Sequence, residues 1–237
     1  MQKFSSFTLK IMAIIFMAMD HIYTYFSHAG VDIPIWFGYL GRLASPIFFY
    51  LIVEGFFYTR SRVKYITRVF SMGILMVGVD FLIGIDNNIF LSIGCALVML
   101  TGIDIAKNKE NQLAKRILGT LVAIIFMALG LFTEASLYGV PMVLIFYFFR
   151  DKKVIMSILY IALSLFQLTG YIGYNSHDLI EAMTLFEYQW MMVFAIIPIL
   201  MYNGKLGLSN KFIKWMFYWF YPIHLIVIVS LAKLIAS

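Results

Sequence analysis

Nine apolar stretches, near residues 9–28, 34–58, 66–86, 89–106, 114–133, 135–149, 154–174, 185–202 and 212–236, follow one another along this chain with only short polar breaks between them. At a helical rise of about 1.5 Å per residue, most of them are long enough to cross about 30 Å of hydrocarbon. Lipid offers no water to exposed backbone groups, so such segments satisfy their N–H and C=O groups as helices. A soluble globule is excluded: 13% of the residues are charged and mean hydropathy is +0.90, whereas ordinary domains approach about a quarter charged. The expected fold is all-α, a polytopic transmembrane helical bundle of about nine spans forming one integral-membrane domain over residues 1–237. Counts of about eight or ten stay open, because the sixth stretch is short and contains Pro141 and the fourth and fifth are open to tilting or breaking.

Charge gives an independent check, since Lys and Arg concentrate in short cytoplasmic loops. One set of alternate breaks holds Lys3 and Lys10, then Arg60, Arg62, Lys64 and Arg68, then Lys107, Lys109, Lys115 and Arg116, then Arg150, Lys152 and Lys153, then Lys205, Lys211 and Lys214. The other set holds Asp32, Asp86, Glu134, Asp178, Glu181 and Glu187. This predicts a cytoplasmic N-terminus, an external C-terminus and a multi-pass membrane protein. No cleavable signal peptide is expected, because Asp20 and His21 interrupt the first apolar run.

The single cysteine, Cys95, excludes an intramolecular disulfide and a cysteine-rich metal site. No Walker loop, dinucleotide-binding glycine fingerprint or zincin histidine pair is present. Neither a metal nor a nucleic-acid partner is expected; the lipid bilayer is the evident one. The longest break, about 174–185 and including His177, reads as an ordinary outer loop too short for a soluble domain. Ligands would therefore bind among the helices or at their loops.

The first stretch carries the strongest site signal. On a helix Lys10, Asp20, His21, Thr24, Ser27 and His28 fall within an arc of roughly 120°, and the remaining surface is apolar. An ionised group at the bilayer centre costs about 2.5–3.5 kcal/mol on insertion scales, so this stripe must face protein or protein-held water. Depth is estimated from position at about 1.5 Å per residue. His21 lies about 10 Å below the outer end of its helix, Arg42 about 12 Å, Asp80 about 9 Å and His224 about 15–18 Å. At those depths they can share one cavity.

Each residue has a bland reading beside a sharp one. His21 is either a histidine bonded to a neighbouring helix or a functional group. Asp20 cannot simply orient it, since neighbours diverge by about 100° on a helix; it reads better as a charge paired to another helix. Arg42 is either a clamp on Asp20 or Asp80, or a binder of an anionic ligand or transition state. Pro46 is expected to kink the second helix. Glu54 is expected to pair with Arg60 or Arg62. The basic segment Arg60, Arg62, Lys64 and Arg68 is either a positive-inside signal or a clamp for the phosphates of a nucleotide-bearing cofactor. Lys10 either snorkels to the surface or contacts that ligand. Tyr221 and His224 share a helical face interrupted by Pro222, and His224 is either a buried hydrogen-bonding residue or a second catalytic histidine. The aromatic run Trp215 to Tyr221 has packing or an interfacial belt as its default reading.

The chain resembles the TraX proteins of conjugative plasmids and their bacterial relatives. The resemblance rests on "LKIMAIIFMAMDHI" at Leu9 to Ile22, "GRLASPIFFYLIVEGFFYTRSRVKYITR" at Gly41 to Arg68 and "NIFLSIG" at Asn88 to Gly94. It continues in "YNGKLG" at Tyr202 to Gly207, which leads into "FYWFYPIHL" at Phe217 to Leu225, with weaker support from "EASLYGV" at Glu134 to Val140.

It implies a membrane acetyltransferase, since the plasmid TraX protein N-acetylates the amino terminus of pilin. The family is distantly similar to integral-membrane acyltransferases that use acyl-CoA to modify envelope glycans. Those proteins carry a basic residue, ten intervening residues and a histidine in the first helix, the spacing of Lys10 and His21 here. The resemblance thus implies acetyl-CoA as donor and an amine or hydroxyl of an envelope or pilin-like acceptor. His21 would be general base or acyl carrier, with Asp20 and Arg42 beside it and either Arg42 or a helix-end dipole on the oxyanion. Arg60, Arg62, Lys64 and Arg68, with Lys10, would hold CoA. Independently of the resemblance, His224 as a possible second histidine, with Tyr221, Asp80 and Glu54, is a candidate for the cavity wall. A proton-coupled small-molecule transporter is the alternative, but no repeat relates the two halves of the chain.

Overall fold

The computed structural model describes residues 3–171 and 176–236, with the side chains of residues 136, 171 and 176–178 outside the description. His177 and Asp178, read above as outer loop, therefore have side chains outside the described set. Among the described residues every regular element is helical, and the sole strand-like pairing is an isolated bridge between Phe4 and Tyr202. In order the helices are α1 (Ser6–His28), α2 (Trp36–Gly41), α3 (Ala44–Tyr58), α4 (Arg62–Ile83), α5 (Ile89–Lys107), α6 (Leu113–Leu131), α7 (Ser136–Phe148) and α8 (Lys153–Leu165). A 3-10 turn over Phe166–Tyr171 follows, then α9 (Ser176–Glu181), a π-helical turn (Ala182–Phe186), a 3-10 helix (Tyr188–Ala195), α10 (Ile196–Leu200) and α11 (Lys211–Ala236).

Seven of these segments, counting α2 and α3 as one, are long and apolar enough to cross a membrane. An eighth is reached if Leu179–Phe186 and Tyr188–Leu200, bent by 70°, form one span. The sixth expected stretch becomes α7, whose apolar part, Leu137–Phe148, is too short to be counted with the others.

Local chemistry moves several boundaries. The helix expected from residue 66 begins at Arg62, because the Ser61 hydroxyl caps it by accepting from the Lys64 N–H at 3.3 Å. It ends at Ile83 because Gly84 takes a left-handed φ of 68° and its N–H donates to the Asp80 carbonyl at 2.8 Å. The second span breaks at Arg42–Leu43, four residues ahead of the kink expected at Pro46. Pro46 has no N–H for the Arg42 carbonyl, and it is tolerated in the first turn of α3, where that N–H has no helical partner to lose.

The chain forms two compact units, one from Met1–Phe48 with Asp151–Ser237, the other from Phe49–Arg150. In the first, residues ahead of α1 are strapped to the loop before α11. The Lys3 and Phe4 N–H groups both donate to the Met201 carbonyl, at 2.8 and 2.9 Å, and the Asn203 N–H donates to the Phe4 carbonyl at 2.9 Å. Ser6 and Phe7 donate to the Lys205 and Leu206 carbonyls at 2.8 and 3.0 Å. Gly204 and Gly207 each have φ of 73°, which lets this loop turn twice under the strap. Consequently α1 and α11 start at the same end and run side by side in one sense. Phe7 and Lys10 face Phe217, and His21 faces Tyr221 and His224. The buried stripe of α1 is Leu9, Ala13, Met17 and His21, at four-residue spacing, so the histidine ends an otherwise apolar seam.

In the second unit α5 is the buried centre, with Leu97, Met99 and Leu100 wholly enclosed. It meets α6 through Gly102 and Gly119; a Cβ on Gly102 would lie 2.6 Å from the Gly119 carbonyl oxygen. Only glycine allows backbones that close.

Candidate functional site

His21 and His224 form the core of the site. Nδ1 of His21 lies 2.7 Å from Nε2 of His224, and both residues are buried, at 5% and 8% exposure. Ring centroids 5.0 Å apart with planes only 16° apart describe a nearly coplanar, end-on hydrogen bond. Nδ1 of His224 donates in turn to the Phe220 carbonyl at 2.7 Å. Tyr221 packs edge-on against both imidazoles, at 6.2 Å from His21 and 5.6 Å from His224. The Phe220 ring lies 4.7 Å from that of His224 and nearly parallel to it. α11 presents all three residues because positions 220, 221 and 224 fall on adjoining turns, with Pro222 between them.

Beside this pair stands an ion pair. Asp20 meets Arg42 across the helices, Oδ1 to Nη2 at 3.0 Å. Arg42 Nη1 donates to Gln189 Oε1 at 3.2 Å, and its guanidinium lies 5.1 Å from the Tyr188 ring. The Arg42 Nε–H is buried and has no hydrogen-bond acceptor among the described residues. Two glycines of α2 make the close approach possible: Gly41 abuts Asp20, and a Cβ on Gly38 would lie 2.9 Å from the Tyr188 hydroxyl. Tyr188 and Gln189 come from the bend in the pair Leu179–Phe186 and Tyr188–Leu200. There a π turn gives way to a 3-10 helix and the backbone departs from α geometry, a distortion often found at functional sites.

Lys10 is half-buried on the same side of α1 as His21, three turns below it, and its Nζ lies 5.5 Å from the Phe217 ring. The rest of the polar stripe is spent locally: Nδ1 of His28 bonds to the Thr24 carbonyl, and Ser27 and His28 are exposed.

The remaining sequence candidates lie in the second unit and have other partners. Glu54 pairs with Arg150, in place of the expected Arg60 or Arg62, through a two-pronged contact of Nε to Oε1 at 2.7 Å and Nη2 to Oε2 at 3.2 Å. Arg150 also donates to the Tyr58 hydroxyl at 3.0 Å, and the hydrogen bond with Glu54 pushes its already high pKa upward. Arg62 is claimed by Asp104 at 2.6 Å and by the Phe56 ring at 4.1 Å. Arg60 and Lys64 are exposed, and Arg68 is half-buried over Tyr65 at 6.0 Å. Asp80 is 8% exposed in the last turn of α4, where one carboxylate oxygen, Oδ1, has no hydrogen-bond donor among the described residues.

Arg150, Asp104, Tyr188 and Gln189 had no signal in the sequence, because nothing local to them announces a partner on a distant helix.

Comparison with known proteins decides the family. The family model described as TraX protein matches residues 5–232. The chain belongs to the TraX family. Among its relatives is a probable fimbrial assembly protein FimC, serogroup H1, of Dichelobacter nodosus, 26% identical over 238 aligned residues that cover 96% of this chain and 95% of that protein. No solved structure matches. The TraX match thus includes α1 and α11, the helices that carry His21 and His224.

Proposed function

We propose that this TraX-family protein is a membrane-embedded acetyltransferase that moves an acetyl group from cytosolic acetyl-CoA to an amine or hydroxyl of an envelope acceptor. The observation that carries the reading is the buried His21–His224 pair on two apolar helices. An ionisable group inside a membrane span reads by default as a functional-site candidate, and an imidazole is a group that can remove a proton from an amine or alcohol. The fimbrial relative favours a pilin-like polypeptide as acceptor, with an envelope glycan as the other candidate.

In the reaction the acceptor nitrogen or oxygen attacks the thioester carbonyl carbon, and its proton passes to His21 as the new bond forms. The tetrahedral oxyanion then collapses and the C–S bond breaks. The leaving thiolate takes the proton back from His21, so the histidine ends as it began. Arg42 is the donor to the oxyanion, and its unpartnered buried Nε–H supports that role. Asp20 holds the guanidinium in place. In the second unit Arg60 and Lys64 are exposed cations and Arg68 is half-buried; in the first, Lys10 is half-buried on the His21 side of α1. Arg62 enters with its charge already met by Asp104.

The orientation belongs to this proposal. The strap supports an odd number of crossings, because two spanning helices that start at the same end, as α1 and α11 do, are the first and last of an odd number. A nine-crossing arrangement, which requires the short α7 as well as the bent pair to cross, would put every basic loop on the cytoplasmic side of the inner membrane. Mass spectrometry of envelope material with and without the gene tests the activity: an acetyl group present on one envelope component only when the gene is intact is the expected result, and identical acetylation in both removes the proposal.

A further inference from the structure

The geometry assigns His224 as a positioning residue that holds His21 in a single tautomer, with Nε2 of His21 as the unprotonated nitrogen. The inference rests on the proposed transfer reaction only for what that nitrogen does; the tautomer is a property of the resting protein. The hydrogen bonds run in one direction. A backbone carbonyl can only accept, so the 2.7 Å contact between Nδ1 of His224 and the Phe220 carbonyl places a proton on that nitrogen. In a neutral imidazole the other nitrogen is then an acceptor. Nε2 of His224 lies 2.7 Å from Nδ1 of His21, so His21 donates through Nδ1. Its lone pair is left on Nε2, on the side of the ring away from His224.

Packing keeps the arrangement from reversing. A flipped His224 ring would put Cδ2 in the place of Nδ1 and Cε1 in the place of Nε2, losing the bonds to Phe220 and to His21 alike, and the Phe220 ring at 4.7 Å with Tyr221 at 5.6 Å restricts that turn. Both histidines are therefore held with the proton on Nδ1, the form that a free imidazole side chain favours less. When Nε2 of His21 takes the acceptor proton, the new imidazolium already directs its Nδ1–H at a neutral acceptor. No second proton has to move. His224 thus acts through His21 without touching the substrate, and the Phe220 carbonyl serves as the fixed end of the chain.

The test is nitrogen-15 solid-state NMR of the full chain, histidine-labelled in lipid bilayers, with the four histidines distinguished by single replacement. Protonated Nδ1 and unprotonated Nε2 on both His21 and His224, with a coupling across the bond between them, is the expected result; a protonated Nε2 on neutral His21 overturns the assignment. The functional arm compares His224→Gln, whose side-chain carbonyl can still accept from His21, with His224→Leu, which cannot. Acetyl transfer retained within about tenfold by the first and reduced about a hundredfold or more in the second is expected. Equal loss in both, or none in either, overturns the positioning role. Absence of any acetyl transfer by the wild type would remove the reaction proposed above, while the NMR arm still decides the tautomer.

Discussion

Gly41 lies directly against the carboxylate of Asp20: a Cβ there would collide with Oδ1 and with the Asp20 Cβ. The glycine that opens the Gly-Arg-Leu motif is therefore what brings α2 close enough to α1 for the next residue, Arg42, to reach Asp20 at 3.0 Å. Replacing Gly41 with alanine forces Asp20 aside, an overpacking cost of about 1–3 kcal/mol. The expected outcome is a lower unfolding temperature in detergent, together with a loss of acetyl transfer of about tenfold, equivalent to about 1.4 kcal/mol at the transition state. Wild-type values of both in Gly41→Ala contradict this packing.

The Glu54–Arg150 pair makes a separate prediction about stability. Glu54 is 5% exposed, so Arg150→Ala strands a buried carboxylate, at a cost of about 3–5 kcal/mol when the partner is removed. Arg150→Lys keeps the charge but loses the two-pronged geometry. Thermal unfolding is expected to rank wild type above Arg150→Lys and that above Arg150→Ala. An Arg150→Ala protein as stable as wild type contradicts the assigned partner.

That pair also shows where the sequence is legible and where it is not. The existence of α1, α4, α5, α6, α8 and α11 follows from apolar length, which lipid dictates without reference to any neighbour. Faces follow as well: Lys10 and His21 share a side of α1, and Tyr221 and His224 a side of α11, because helical periodicity fixes them. Partners do not follow. His21 and His224 are 203 positions apart, and Glu54 and Arg150 are 96 apart. Which charged residue meets which is decided by helix packing, so proximity in the chain pointed Glu54 toward Arg60 or Arg62, while Arg62 went to Asp104. The bend before Tyr188 was hidden for a related reason. Residues 174–185 read as an outer loop and 185–202 as a span, whereas Leu179–Phe186 is helical and meets Tyr188–Leu200 at a bend of 70° that shows only in the backbone.

Topology can be checked by labelling. Single cysteines at Lys3, Lys64, Lys109, Lys152 and Lys205, in a Cys95→Ser background, are all expected to react with an impermeant thiol reagent in inverted vesicles and to be protected in intact cells. Reaction at Lys152 or Lys205 from the outside, with Lys3 protected, contradicts nine crossings. Opposite sidedness of Lys3 and Lys205 contradicts the strap that joins α1 to the loop before α11.

The role proposed for His21, moving the proton in an acetyl transfer, is open to direct assay. Membranes carrying wild-type protein or His21→Ala at equal, stably folded levels are supplied with labelled acetyl-CoA, and label entering envelope acceptors is measured. Transfer by the wild type and a fall of about a hundredfold or more in His21→Ala are expected; undiminished transfer by the variant contradicts a proton-transfer role for His21.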